Sequence, residues 1–427
     1  MAMKQEYDIA IVGGGIIGSA LAAALMANAR CAGLRVALID AAPELPAASV
    51  ACRQFDPRVV ALSNASRSLL QQAGVWADIV AERACPYLHM HVWDAEGTGN
   101  IQFNSNELQR DSLGHIVENS VLQRALRARL ARGDGYAQVD VCTAKLVESI
   151  TAPVTDQFGN ASGPTQLHFV SGETVRAQLV LAVDGANSSL REMAGLTTRE
   201  WEYGHTAIVT TVRTEQPHNF TAWQRFTQQG PIAFLPLCDN PEGEHVSADD
   251  LANKVANFCS LVWSVESNKA EALMALTEQE FCAQLSREFE YKLGAVERAD
   301  KRVAIALKQR HAKTYFVPGL ALVGDAAHTI HPLAGLGANL GLADASILVN
   351  EIARACERKL PLTDTSILRR YQRQRQGENL GVMATMEGFK RLFAADDPAI
   401  RWARNSGMRW LNNAGWLKNK MVSIIAG

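Results

Sequence analysis

Apolar residues run almost unbroken from Ile9 to Ala29 (IAIVGGGIIGSALAAALMANA), with no charge among them. A bilayer span of about 20 residues gives such a run, and so does a buried strand followed by a buried helix. The preceding MAMKQEYD carries Glu6 and Asp8 and lacks the positive region of a signal peptide. Gly13, Gly15 and Gly18 fall where a strand would turn into a helix. The pattern therefore predicts a strand at Tyr7–Val12, a GGGIIG turn, a helix at Ser19–Asn28, and a second strand at Arg35–Ile39 closed by Asp40. Two more apolar runs end in an acid and a glycine. LVLAVDGANSSLR (179–191) predicts a strand closed by Asp184-Gly185, with Ser188 and Arg191 on the turn and helix that follow. Leu320–Val323 predicts a short buried strand closed by Gly324-Asp325. A loop with Pro332, Gly335 and Gly337 follows, and helical spacing begins after Asn339, through Leu340, Leu342, Ala345 and Leu348.

Residues 41–57 read as loop; FDPRVVALSNASRSLLQQAGVW reads as a helix capped by Asn64 or Ser66, with Leu69, Leu70 and Val75 as core. Residues 87–103 alternate as a hairpin with Gly97 and Gly99 in its turn, and IVENSVLQRALRARL is an amphipathic helix capped by Asn119 or Ser120. Strands follow around 138–150 and 166–171. Residues 201–265 are β-rich and aromatic, as expected of an antiparallel sheet forming the second half of a pocket. The polar stretch 239–257 reads as a lid or as exposed decoration, 277–293 as a helix, and 346–358, 366–393 and 398–425 as further helices. No internal repeat is evident.

Composition narrows the classes. A chain of 427 residues is long enough for two domains or one elaborated one. A net charge of -2 provides no basic field for nucleic acid. Eight scattered cysteines without a CxxC pair suit reduced thiols of a cytosolic protein, and ten histidines without HExxH spacing assign no metal site.

The chemistry lies at the strand ends. GxGxxG followed about twenty positions on by Asp40 is a dinucleotide-binding pattern: the glycines admit a pyrophosphate and the acid accepts from a ribose. Ala326 and Ala327 let a large ligand come close behind Asp325, and a helix beginning after Asn339 aims its free N–H groups over the loop. Arg58 reads as facing a phosphate or a flavin edge, or as a surface arginine. In the tail, Lys390, Arg391, Arg401, Arg404, Arg409, Lys418 and Lys420 interleave with Trp402, Trp410 and Trp416. That pattern reads either as an interfacial contact with an anionic membrane or as a solvated face whose tryptophans pack on the body.

GGGIIG, DGANSSLR and GDAAHTIHPLAGLGAN resemble the three FAD-binding motifs of group A flavoprotein monooxygenases, the para-hydroxybenzoate hydroxylase fold. FDPRVVALSNAS, HIVENSVLQRAL and GDAAHTIHPLAG narrow the resemblance to the ubiquinone-biosynthesis hydroxylase family, over essentially the whole chain. It implies an α/β fold: a discontinuous Rossmann-like FAD-binding domain (1–80, 104–195, 296–345), an antiparallel β-sheet substrate domain (81–103, 196–295) and a C-terminal helical region (346–427).

It also implies roles. Gly13, Gly15 and Gly18 contact the FAD pyrophosphate and Asp40 the adenosine ribose; Arg58 and Gln123 reach the cofactor from loop and helix; Gly324-Asp325 meets the ribityl or pyrophosphate part. Pro332, Gly335, Gly337, Ala338 and Asn339 line the isoalloxazine, with Pro332 and Gly337 beside its reactive edge, and Asp184 serves FAD and NADPH together. Leu336 stands where the family commonly has glutamine, so only backbone contacts are expected there, and the 239–257 stretch is longer than usual. The implied reaction is NADPH- or NADH-dependent hydroxylation of a polyprenylated phenol with O2 through a flavin hydroperoxide. Tyr203, His205 and His331 are candidates to deprotonate the phenol, each with a structural reading beside it. The rival readings are a hydroxylase of a small soluble aromatic and a non-catalytic flavin-binding subunit. A homo-oligomer or a biosynthetic complex, and a cytoplasmic location at the inner face of the bacterial inner membrane, complete the expectation.

Overall fold

The computed structural model describes residues 4–43, 55–97, 99–157, 159–238, 257–329 and 336–394, together with 397, 406 and 410. The strand Glu6–Val12 lies at the centre of an eight-stranded sheet, parallel to Arg35–Ile39 on one side and Thr174–Ala182 on the other. Leu320–Leu322 extends the sheet parallel to Thr174–Ala182, and Gln138–Cys142 extends it beyond Arg35–Ile39. All three acid-bearing strands therefore point the same way, with their carboxyl ends along one edge. Ile9, Ile11, Val36, Leu179 and Val180 are fully buried, as continuous apolar runs must be when helices cover both faces of a parallel sheet.

The apolar stretch at the N-terminus resolves accordingly. Its helix is Ile16–Ala27, starting earlier than the expected Ser19, and every residue from Gly18 to Met26 is buried. It packs between the sheet and the helix Leu336–Glu357, whose Leu342, Ala345, Leu348 and Ile352 join the same core. Among the described residues no helix is long and apolar enough to cross a membrane.

A nine-stranded, mostly antiparallel sheet forms the second half. It includes Thr198–Thr214, Phe258–Glu266, Gly230–Leu237 and the hairpin His89–Asp94 with Asn100–Asn104. Val296–Ala299 and Val303–Ala312 also pair into this sheet. Alternation gives it two unlike faces. Ile232 and Phe234 face the helices Ser267–Ala275 and Glu278–Glu288, where Phe234 stacks on Phe289 at 3.9 Å. Ala233, Leu235 and Leu237 face the other way, toward a small sheet of Val59–Leu62, Gly114–Glu118 and Cys85–Tyr87. The long helix Thr365–Ala394 spans both halves: Ile367, Leu368 and Tyr371 enter the first core, and Phe393 stacks on Phe226 at 4.1 Å.

Local differences have local causes. The helix expected at 277–293 is Glu278–Glu288, started by a Thr277–Glu280 capping box and ended at Phe289, and a separate helix Ser267–Ala275 precedes it. Ser63, rather than Asn64 or Ser66, caps the helix Asn64–Gln72 by accepting from Ser66 N. Glu118 precedes the helix Asn119–Arg132 without a side-chain cap of its own, and Asp56 Oδ2 accepts from Ser120 N instead, at 3.2 Å. The expected helix 398–425 and the stretch 239–256 lie outside the described residues, apart from positions 406 and 410.

Candidate active site

The glycines of the first turn divide into two kinds. A Cβ on Gly13, whose φ is +119°, would fall 2.2 Å from Val183 O, and one on Gly18 would fall 1.9 Å from Gly13 O. Those two let strand, helix and neighbouring strand touch. At Gly15 a Cβ would meet nothing within 4 Å. Gly15 begins the helix Ile16–Ala27 without a side-chain cap, so the first N–H groups of that helix face open space. This is a cradle for an anion such as a pyrophosphate. Asp40 stands beside it: its Oδ1 accepts from Ala42 N at 3.0 Å, and Arg127 lies 3.8 Å from Oδ2.

The other two strand ends meet the first. Gly13 packs on Val183 and Asp184, whose Oδ2 accepts from Leu190 N at 3.2 Å while its buried Oδ1 has no partner among the described residues. Gly324, at φ +61°, packs on Ile17 and Gly341, so the N-terminal parts of both helices converge on the bend that presents Asp325. Asp325 is exposed, yet protein encloses its flanks, and that burial is the main cause that raises its pKa; His328 opposes the shift and Asp344 adds to it. Arg191 ties two motifs together, donating from Nη1 to Ala186 O at 3.2 Å and to Ala326 O at 3.0 Å.

The loop carrying Arg58 is stapled to the helix carrying Gln123. Arg58 N donates to Asp56 Oδ1 and Arg58 O accepts from Asn119 N, both at 2.9 Å, which leaves the guanidinium exposed. Gln123 sits one turn into that helix. The helix Leu336–Glu357 starts four residues before the expected Leu340, so Gly337, Ala338 and Asn339 form its first turn rather than a loop. Their N–H groups are among those a helix leaves unpaired. A Cβ on Gly337 would meet nothing within 4 Å. The Asn339 side chain is engaged within the protein: Oδ1 accepts from Ser63 N at 2.9 Å and Ser66 Oγ at 2.7 Å, and Nδ2 donates to Ala61 O at 2.7 Å. Pro332, Gly335 and His331 lie outside the described residues; of Tyr203 only the backbone is described, and His205 sits in register with Glu266. No group of three or more His, Cys, Asp or Glu suited to a metal occurs among the described residues.

Residues 6–380 match the sequence model of a family described as an FAD binding domain. The chain is 36% identical to 3-demethoxyubiquinol 3-hydroxylase of Escherichia coli (strain K12), over 99% of both proteins. This chain belongs to that FAD-binding family of ubiquinone-pathway hydroxylases. Ubiquinone hydroxylase UbiL of Rhodospirillum rubrum is 34% identical, over 98% of this chain and 89% of that protein. Ubiquinone biosynthesis monooxygenase COQ6 of Xenopus tropicalis is 32% identical, over 98% and 93%. Among solved structures, p-nitrophenol 4-monooxygenase PnpA from Pseudomonas putida superposes with a TM-score of 0.71 at 18% identity, covering 100% of this chain and 99% of that one. HpxO of Klebsiella pneumoniae, complexed with FAD and uric acid, gives 0.68 at 18% identity, covering 98% and 97%. The fold is that of the para-hydroxybenzoate hydroxylase group, and FAD is its cofactor.

The residues present fit this family's FAD. The open cradle at Gly15 suits its pyrophosphate, the unpartnered Asp184 Oδ1 and the exposed Asp325 offer acceptors, and the helix start at Gly337 offers donors. Through Ala61 O, the Asn339 side chain ties the start of that helix to a buried apolar cluster that holds Ala61, Tyr87, Phe103, Leu113 and Leu235. Sequence reading missed the network behind the site, in which buried Asp344 joins His328, Arg375 and Gly324. Its signal was present: Asp344 is a charge on an apolar helical stripe, and Tyr371, Arg375 and Asn379 recur every four residues on one buried face.

Proposed function

We propose that this FAD-dependent monooxygenase hydroxylates the aromatic ring of a polyprenylated phenol or benzoquinol in ubiquinone biosynthesis, using NADPH or NADH and O2. The observation that carries the reading is the convergence of three cofactor-type strand ends, at Asp40, Asp184 and Asp325, on one edge of the parallel sheet. The three relatives named above, matched over at least 98% of this chain, support the choice of pathway.

Bound FAD supplies the oxygen chemistry. The chain supplies position, charge and dryness. In this reading Gly15 opens the pyrophosphate cradle and Gly13 and Gly18 pack the strand and helix that frame it, Asp40 takes the ribose, and Arg58, Gln123 and Asp184 hold the cofactor from the sides. Gly324 and Asp325 bind its middle. Pro332, Gly335, Gly337, Ala338 and Asn339 flank the ring, with Pro332 and Gly337 nearest the chemistry. Helix N–H groups at Gly337–Asn339 favour negative charge that develops there. The apolar cluster that Asn339 reaches through Ala61 keeps water from that side of the ring. The division into an FAD-binding domain (1–80, 104–195, 296–345), a substrate domain (81–103, 196–295) and a helical region (346–427) belongs to the same proposal, with 296–312 moved to the substrate domain because Val296–Ala299 and Val303–Ala312 pair into its sheet.

A prenylated substrate dissolves in membranes, so we also place the protein at the inner face of the cytoplasmic membrane through its basic, Trp-bearing tail, as a homo-oligomer or a member of a biosynthetic complex. Trp410, 62% exposed, supports the contact. Deleting the gene and identifying the accumulating precursor by mass spectrometry tests the function. A prenylated precursor lacking one ring hydroxyl is expected; an unchanged quinone pool would overturn the assignment.

A further inference from the structure

Asp344 lies on the stripe of the helix Leu336–Glu357 that otherwise holds Leu342, Ala345 and Leu348, and it is fully buried. Its Oδ1 accepts from Arg375 Nε at 2.6 Å. Its Oδ2 meets His328 Nε2 at 2.6 Å and accepts from Gly324 N at 3.0 Å. Asn379 extends the group, accepting from Arg375 Nη2 at 2.8 Å and donating to Tyr315 Oη at 3.1 Å, which in turn meets His311 Nε2 at 3.0 Å. None of these six side chains is more than 3% exposed.

Burying a carboxylate and a guanidinium removes both from water, and well-packed apolar residues stabilise a core at least as well. Stability alone therefore does not account for a charge among leucines. The carboxylate does one thing a leucine cannot: it accepts from the N–H of Gly324. That residue sits in the left-handed region, φ +61°, at the bend that turns Asp325 outward. With the N–H fixed, the bend has one orientation, and so does the side chain one residue on. Arg375, which holds the far oxygen of the same carboxylate, comes from the helix Thr365–Ala394, remote in sequence from every cofactor motif.

We propose that Asp344 is a positioning residue for FAD: it sets the Gly324 bend and thereby aims the Asp325 carboxylate, while Arg375 makes the C-terminal helix a contributor to cofactor affinity. This rests on the reading of Asp325 as an FAD ligand.

The test uses full-length protein stripped of FAD and titrated with it, following flavin fluorescence well below the melting temperature, beside the thermal midpoint of the apoprotein. Asp325→Ala should weaken FAD binding at least about tenfold with little change in midpoint, since the side chain is exposed. Asp344→Asn should weaken it by at least about tenfold as well and also lower the midpoint. Arg375→Lys, which keeps the charge but loses the fork, should weaken it about threefold to tenfold. Leu285→Ala, in the core behind the other sheet, is the control: a lower midpoint with unchanged affinity. Wild-type affinity in both Asp344→Asn and Arg375→Lys, with Asp325→Ala weakened, would overturn the positioning role alone. Wild-type affinity in Asp325→Ala would overturn the underlying reading and the inference with it. Should Asp344→Asn fail to fold, Arg375→Lys decides.

Discussion

Arg191 donates to the carbonyl of Ala326 across 135 positions of sequence, from the helix after the middle motif to the turn of the last one. The same nitrogen reaches Ala186 O, so one guanidinium fixes the spacing of two strand ends. Neither carbonyl can turn away to water without dragging its strand.

Arg191→Met should therefore leave Ala326 O without its donor, while Ala186 O keeps Arg310 Nη1, at a cost of about 1–3 kcal/mol. Urea unfolding of the apoprotein measures it, and the purified variant should carry less FAD than wild type. A wild-type urea midpoint would show that the tie contributes nothing.

The glycines of the first turn should part company on substitution. Gly13→Ala and Gly18→Ala would put a Cβ 2.2 Å and 1.9 Å from backbone oxygens, so both should express poorly or melt well below wild type. Gly15→Ala meets open space and should fold normally, while narrowing the anion cradle and reducing FAD affinity. Equal melting temperatures across the three apoproteins would contradict this division.

Acid should weaken the fold in two stages. Burial, the main cause in each, lowers His115, His218 and His311 to about 4, with Arg67 adding to the shift at His115 and with His328 and Arg199 adding at His311. A histidine kept neutral in the folded state gives its full stability above its unfolded pKa near 6.5 and loses it as pH falls through about 4. Asp344 acts lower down. Burial alone would raise its pKa, but His328 and Arg375 outweigh it and hold the carboxyl at about 2, so its contribution persists above about 3.8 and disappears toward pH 2. Calorimetry of the apoprotein should show a midpoint falling by more than about 5 °C between pH 7 and pH 4.5. A flat midpoint over that range would contradict the burial of the histidines.

Asn339→Ala removes the clamp between the helix Leu336–Glu357 and the strand Val59–Leu62, and leaves Ser63 N and Ala61 O unpaired. A loss of roughly 1–3 kcal/mol is expected, together with weaker FAD binding because the helix start at Gly337 is no longer held. Asn339→Asp should keep the Ser63 and Ser66 contacts and recover part of the stability. If it instead matches alanine, the Ala61 bond is the one that matters.

What could be read from the sequence was whatever chemistry repeats locally. The GGGIIG turn, Asp40, Asp184-Gly185 and Gly324-Asp325 each announce themselves within a dozen residues, because a strand, a bend and a helix must follow one another in the chain. Contacts between distant segments leave no such trace. Asp344 and Arg375 lie 31 positions apart on different helices, and Ser63 takes its partner from Asn339, 276 positions away. The helix Ser267–Ala275 was hidden because it follows the apolar strand Phe258–Glu266 directly, without a glycine or proline between them. The early start of the helix at Leu336 was masked by Gly337, which reads as loop although it sits in the first turn.

The order of strands in the eight-stranded sheet has a bearing on synthesis. Glu6–Val12 is made before both of its sheet neighbours, yet the edge of Thr174–Ala182 at Val180, Leu181 and Ala182 is completed only when Leu320–Leu322 arrives. At about 5–20 residues per second, the 138 residues from Ala182 to Leu320 take roughly 7–28 seconds to make. For that interval three apolar residues offer unpaired backbone to any neighbouring nascent chain. Ribosome stalling or premature termination within this window would yield sticky, cofactor-free fragments, and chaperone demand should peak there.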